Sequence, residues 1–188
     1  MCCCAAGIED AASDQKHEPP PSSGPDLDPS SSELQSAIPD FNEAIRLNPG
    51  FAFAWNNRGF TFAASGDYDR AMKDFEEAIR LAPKSELPLI NRGRAYQSKN
   101  QYDLAIQDYS NALELQPDSQ LAYNNRGMAY VLQKQYQSAA PDFDRALALR
   151  PDKIAPRISR RALRVVLGDL DGALEDCNLA LQMQKIIC

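Results

Sequence analysis

The sequence predicts an all-α protein in which antiparallel helix hairpins stack into a solenoid. Three observations predict it: a repeat of 34 residues, apolar and small residues at helical spacing within each repeat, and a proline at the end of each repeat. Because one hairpin cannot bury its apolar face alone, units of this length stack on their neighbours. The repeat is visible in the recurring tripeptides Asn57-Arg58-Gly59, Asn91-Arg92-Gly93 and Asn125-Arg126-Gly127.

Each full unit is predicted to hold two helices that cross closely. In the first unit, residues 52–65 and 69–81 carry the helical pattern, and Pro83 ends the second helix. Gly59 lets the backbones approach, while Phe75 fills the space around the crossing. We therefore expect a bulky residue at this glycine position to overpack the crossing. The full units are predicted at residues 52–85, 86–119 and 120–153.

The repeated residues closely resemble the tetratricopeptide repeat. The positions that carry the resemblance in the first unit are Trp55, Gly59, Phe62, Ala71, Phe75 and Pro83. The other two full units match about as well, with Leu89 and Tyr123 in place of the tryptophan. The resemblance covers roughly residues 33–187, and it implies a right-handed α-solenoid, a superhelix whose first helices line a concave groove.

The front end of the array is predicted to be half a unit, at residues 33–51. Ala37, Phe41 and Ala44 match a second helix. The missing first helix would need residues 18–31, which hold five prolines among serines and cannot form a helix.

The last unit, residues 154–187, departs from the pattern. Arg161 and Arg164 stand where Gly and Tyr are expected, so we predict that its first helix slips by one residue. The slip would bury one face, formed by Ile158, Ala162 and Val165. The helix would then carry a basic stripe, interpreted as a solvated cap face, with a site for an acidic partner or a membrane surface as the alternative. The stripe is Arg157, Arg160, Arg161 and Arg164.

Residues 1–32 are predicted to be a disordered tail, acidic and rich in proline and serine. It begins with a cysteine triplet, Cys2, Cys3 and Cys4, without the histidine or second cysteine pair of a zinc site. Acylation of this triplet would tether the tail to a membrane. We favour a flexible, oxidisable tail, because no glycine follows the first methionine and no basic run supplies a second anchor.

Four arginines are each followed by an aspartate sixteen residues later. One residue of each pair falls on a first helix and the other on a second helix, so we predict ion pairs that bridge helices. The pairs are Arg58 with Asp74, Arg92 with Asp108, Arg126 with Asp142, and Arg160 with Asp176.

Asparagines form a predicted ladder along the groove, with one rung per unit at Asn57, Asn91 and Asn125. A carboxamide both donates and accepts, so a ladder complements the backbone of an extended peptide. A similar ladder holds peptide in a superhelix of the tetratricopeptide family, and the resemblance suggests the same use. The alternative is that these amides merely satisfy neighbouring helices. Specificity is predicted from neighbouring residues, namely Phe53, Asn56, Phe60, Leu87, Ile90, Arg94, Leu121, Asn124 and Met128.

The family's carboxylate clamp for chaperone tails is not predicted here. In that clamp, lysines would stand at the places of Asn56 and Leu121. An asparagine would stand at the place of Phe60 and an arginine at that of Asn125. We therefore predict no binding of acidic chaperone tails.

No catalytic, metal or cofactor site is predicted in the repeats. The single histidine, His17, lies in the tail, which leaves no Ser/His/Asp or Cys/His pair in the array. Paired acids precede two second helices, where they cap free N–H groups. These are Asp67 and Asp69, and Asp169 and Asp171. A nearly neutral array offers no broad basic surface to nucleic acid.

The predicted function is a noncatalytic scaffold or adaptor that binds a peptide segment of a partner protein in its groove. The alternative is a self-assembling element, a homo-oligomer whose copies join through the solenoid ends. The sequence lacks both a secretory signal and a membrane-spanning apolar stretch, so we expect a cytoplasmic protein.

Overall fold

The computed structural model describes residues 35–187, so the predicted tail over residues 1–32 and its cysteine triplet lie outside it. Across the described range the chain is helical without a strand, which confirms the all-α class. The helices are α1 (Ile38–Leu47), α2 (Ala52–Ala64), α3 (Tyr68–Leu81), α4 (Leu87–Ser98), α5 (Tyr102–Leu115), α6 (Gln120–Leu132), α7 (Tyr136–Leu149), α8 (Ile154–Leu167) and α9 (Leu170–Ile187).

The helices pair into hairpins that stack along one direction. Helices α2 and α3, α4 and α5, α6 and α7, and α8 and α9 form the hairpins, and each second helix also packs on the first helix of the next unit. First helices touch as well: α2 contacts α4, α4 contacts α6, and α6 contacts α8. These four helices therefore form one continuous wall, called the inner wall below.

Each hairpin turns through one residue in the left-handed backbone region. The four φ angles lie between 59° and 81°, and the residues are 34 positions apart. Glycine adopts this conformation freely, whereas asparagine tolerates it and lysine is strained by it. The residues are Gly66, Asn100, Lys134 and Gly168.

The helix crossings confirm the predicted register. At each glycine of the repeat, an added Cβ would lie 2.7 to 2.9 Å from a ring carbon of the second helix, closer than side chains pack. The alanines around these rings are completely buried, so the second helix lies directly on the first. The glycine and ring pairs are Gly59 with Phe75, Gly93 with Tyr109, and Gly127 with Phe143.

Two of the predicted caps are also confirmed. The Asp67 carboxylate accepts a hydrogen bond from the backbone N–H of Arg70 at 3.1 Å. The Asp169 carboxylate accepts one from the N–H of Gly172 at 3.0 Å. Both acids serve the first turn of a second helix, as the capping interpretation requires.

The predicted one-residue slip of the last unit is wrong. Arg160 still pairs with Asp176 at the common spacing of sixteen, and the buried residues of α8 are Pro156 and Leu163. Ile158 and Val165, which the slip would bury, are about half exposed. The charged pair sets the register, because a slip would leave the buried Asp176 carboxylate without its bidentate partner.

The predicted basic stripe is also wrong as a solvated face. Arg160 and Arg164 donate to Asp176 at 2.6 to 3.0 Å, and Arg157 Nη1 lies 3.9 Å from the same carboxylate. Arg161 is the one member of the stripe that is exposed. Three of the four cations are therefore used inside the hairpin.

At the last helix crossing, the large residue lies on the first helix and the small residue on the second, the reverse of the other units. Arg161 occupies the glycine position, and Cys177 occupies the aromatic position. The Arg161 guanidinium lies 3.9 Å from the Cys177 sulfur. Because the second helix carries a small residue here, the first helix can carry a large one. The larger side chain thus lies on α8 instead of α9, and both residues line clefts at this end of the array.

Candidate peptide-binding groove

The four predicted ion pairs are confirmed, and each is bidentate. In every pair the arginine donates through Nε and Nη2 to both carboxylate oxygens, at 2.6 to 2.9 Å. The aspartates are buried and the arginines are mostly buried. These bonds hold the first helix of each unit, and hence the inner wall, on its second helix.

These pairs also raise the pKa of three guanidinium groups. The hydrogen bonds that Arg92 donates to Asp108 raise the pKa of Arg92, and those that Arg126 donates to Asp142 raise the pKa of Arg126, although burial acts in the opposite direction. Asp176 raises the pKa of Arg160 in the same way. Each raised pKa favours the charged form of the guanidinium, which is the form that donates to the buried carboxylate.

The inner wall begins with three linked carboxamides. Asn91 Nδ2 donates to Asn56 Oδ1 at 3.0 Å, and Asn56 Nδ2 donates to Asn57 Oδ1 at 3.1 Å. Asn56 is buried, whereas Asn57 and Asn91 are half-buried. The amide run therefore crosses from the first unit to the second, and its two outer members keep exposed surface.

The third rung of the ladder lacks this support. Asn125 Nδ2 is buried and has no hydrogen-bond partner within the described residues. The residue 35 positions before it, which corresponds to Asn56 before Asn91, is Ile90. An isoleucine cannot accept a hydrogen bond, and the amide is left unpaired. Asn124 Oδ1 is unpaired in the same way.

This asymmetry predicts different stability costs for two equivalent substitutions. Asn91→Ala removes a bond and leaves the Asn56 oxygen buried without its donor, so it should lower the free energy of unfolding by about 1–3 kcal/mol. Asn125→Ala removes a group that already lacks a partner and should cost less than about 0.5 kcal/mol. Urea unfolding followed by circular dichroism measures both values. Equal costs would contradict the asymmetry.

One apolar side chain per unit lies exposed at the start of each of the first three first helices. Phe53, Leu87 and Leu121 occupy the same position of successive units, and all three are exposed. The Phe53 ring also lies 5.7 Å from that of Phe51. We call these three residues the apolar column. It runs parallel to the amides on the same helices, 34 residues from one member to the next.

A cleft of about 120 Å³ opens between α2 and α4. Phe60, Asn91 and Arg94 line it, which brings three predicted site residues together. The Arg94 guanidinium carbon lies 5.7 Å from the centre of the Phe60 ring, a cation–π contact.

Ile90 does not line this groove. It is 1% exposed and packs in the core with Tyr109 and Leu113, which corrects its predicted role in specificity. Phe60 and Met128 are half-buried against core residues and keep part of their surface. The three members of the apolar column are among the residues predicted from the sequence to give specificity, and they share one repeat position. The burial of Ile90 could not be predicted, because it depends on how the next unit covers it.

Two family models, both described as tetratricopeptide repeat, match residues 52–85 and 90–154. Together they cover more than half of the chain. The stacked hairpins and their repeated inner wall define a helical-repeat scaffold. The chain belongs to the tetratricopeptide-repeat family, and fold and family support the broad function of a protein-interaction scaffold.

Several solved structures share this fold. PilF of Pseudomonas aeruginosa is 18% identical, with 82% of this chain and 70% of that chain covered and a TM-score of 0.74. YrrB is 21% identical, with 83% and 80% covered and a TM-score of 0.63. The first tetratricopeptide domain of Spaghetti (RPAP3) is 24% identical, with 62% and 93% covered and a TM-score of 0.59. No curated protein matches the sequence.

Within residues 35–187, no helix is long and apolar enough to cross a membrane. The same part of the chain holds no group of three or more histidine, cysteine or acidic side chains that could bind a metal ion.

Proposed function

We propose that this chain is a noncatalytic scaffold that binds an extended peptide segment of a partner protein along its inner wall. One observation carries the proposal: half-buried asparagines and the apolar column recur together on successive first helices. The amides complement a peptide backbone, and the column receives apolar side chains of the same peptide.

The charge of the wall indicates which peptides it would bind. Arg94 is the exposed cation at the cleft, and the neighbouring groove positions hold amides or apolar side chains. A strongly acidic tail could pair with one exposed cation, Arg94. A neutral segment could instead place each of its spaced apolar side chains against a member of the apolar column. The proposed ligand is therefore neutral and partly apolar.

Two structures of the same fold support peptide binding as a use of such a wall. YrrB is described as a protein with an unusual peptide-binding site, and the Spaghetti domain is bound to an HSP90 peptide. The proposal transfers the mode of binding and not the ligand, because the clamp positions of this sequence hold Asn56, Phe60, Leu121 and Asn125.

Removing the ladder tests the proposal. The triple variant Asn57→Ala, Asn91→Ala and Asn125→Ala should lose at least tenfold in affinity for captured partners, since each amide bond contributes about 0.5–1.5 kcal/mol. Pull-down followed by titration of the captured segment measures this. Asn111→Ala, on the second helix α5, is the matched control and should bind like the parent. Unchanged capture by a triple variant of normal helicity would defeat the proposal.

Self-assembly through the solenoid ends stays a prediction. Leu47 on α1 and several residues of the last hairpin are exposed and apolar. Size-exclusion chromatography with light scattering separates the two functions, because a monomer at low micromolar concentration counts against assembly.

A further inference from the structure

The outer face of the last hairpin repeats a surface that the chain covers everywhere else. We call it the C-terminal end face and define it by the apolar residues Ile158, Val165, Leu174 and Leu181 and the polar residues Asp171 and Asn178. Two clefts lie on it, one of about 150 Å³ along Ile158 and Leu181 and one of about 510 Å³ along Val165 and Leu174.

Residues of the same type at equivalent repeat positions differ in exposure according to whether a following unit covers them. Ile90 is 1% exposed, whereas Ile158, at the same position of the last unit, is 48% exposed. Leu113 is 8% exposed, whereas Leu181 is 52% exposed. The inner members of both pairs are covered by the first helix of the next unit, so the end face has the chemistry of an interface without its second side.

The inner interfaces also show which donors the covering helix brings. Arg58, Arg126 and Arg160 each donate through Nη1 to a residue of the preceding second helix, at 2.7 to 3.1 Å. The acceptors are Asn42, Ser110 and Asp144, and the same position of the last unit holds the exposed Asn178.

A second acceptor lies one heptad before the first. Lys99 donates to Asp69 at 3.1 Å, and Gln133 donates to Asp103 at 2.7 Å, in both cases from the residue that follows a first helix to the preceding second helix. The last unit holds the exposed Asp171 at this position. The end face thus offers two acceptors seven residues apart, matching an arginine and a lysine or glutamine seven residues apart on a covering helix.

We propose that the C-terminal end face binds an amphipathic helix of a partner protein that carries these two donors. Between them, three residues after the arginine, the helix places a small or apolar residue, as the covering helices do with Ala95, Ala129 and Leu163. The pattern is therefore arginine, an apolar residue three positions later, and lysine or glutamine seven positions after the arginine.

Residues 1–187 do not supply the occupant, which we therefore assign to a partner. Every first helix of the described array is already packed in the stack, and Arg46 of α1 is engaged by Glu43. Residues 1–34 contain no arginine. Neither a second copy nor the N-terminal segment therefore offers a free helix with the required donors. The proposal does not depend on peptide binding at the inner wall.

A synthetic peptide of residues 119–134 is the probe. In the fold this segment covers a face with the same isoleucine, leucine and aspartate as the end face. Fluorescence anisotropy with the full chain should show saturable binding of the labelled peptide. Leu181→Asp and Asn178→Ala should each weaken it at least tenfold, and so should Arg126→Ala in the peptide. Leu104→Asp, an exposed leucine of an internal unit, is the control and should bind like the parent.

Three outcomes would overturn the proposal. The first is no saturable binding by a chain of normal helicity. The second is binding that Leu181→Asp leaves unchanged. The third is a dimer that Leu181→Asp dissociates and the peptide does not displace, which would make a second copy the occupant.

Discussion

Replacing Asp176 with alanine should lower the stability of the last hairpin by about 3–5 kcal/mol, the usual cost of leaving buried cations unpaired. The Asp176 side chain is completely buried. Arg160 and Arg164 hydrogen-bond to it, and Arg157 lies within ion-pair distance. The variant would leave three guanidinium groups, none more than a quarter exposed, without their shared carboxylate.

The loss should be confined to the end of the solenoid, because each unit contacts only its neighbours. Hydrogen exchange resolved by helix should therefore show fast amides in α8 and α9 and little change in α2 and α3. The matched control is Asp144→Ala. Asp144 accepts a bond from the same Arg160 at 2.7 Å, but it is exposed, so its removal should cost less than about 1 kcal/mol. Similar losses of stability in the two variants would contradict the conclusion that three arginines depend on the Asp176 carboxylate.

Gly93→Leu should lower the free energy of unfolding by about 3 kcal/mol, the upper part of the usual range for overpacking. An added Cβ at this position already lies 2.7 Å from the Tyr109 ring. The ring has no space to retreat into, because Tyr109 is completely buried and its hydroxyl donates to Gln97 at 3.2 Å. Thermal unfolding followed by circular dichroism measures the loss. Gly50→Leu, on an exposed loop, should change stability by less than about 0.5 kcal/mol.

The last unit suggests a second substitution that should compensate for a large residue at Gly93. Gly93→Arg combined with Tyr109→Cys copies Arg161 and Cys177 into the second unit. Because the cysteine makes room for the arginine, the double variant should be more stable than the sum of the two single losses predicts. Strict additivity would show that the size exchange at the last crossing is not a packing solution.

The repeat made much of the fold predictable. A period of 34 residues with glycine and ring positions in register predicted the hairpins, and the arginine–aspartate spacing predicted the four bridging pairs. These features are local to one unit or repeat identically in each unit, so a linear pattern contains them. The apolar column could be predicted for the same reason.

The errors fall where a residue depends on a helix other than its own. The basic stripe of α8 resembled a solvated face because helical spacing does not reveal that Asp176 on α9 gathers three arginines. Ile90 resembled a groove residue because the spacing does not reveal the cover of the next unit.

The sequence by itself determined the hairpin, its register and its bridging charges, since each follows from spacing along one chain. Only the tertiary structure decided which members of equivalent sets are covered. Ile90 and Ile158, or Asn91 and Asn125, have the same side chain at the same repeat position, yet one of each pair is satisfied and the other is not. The physical reason is that burial and hydrogen bonding are properties of two surfaces in contact, and the second surface lies one unit away.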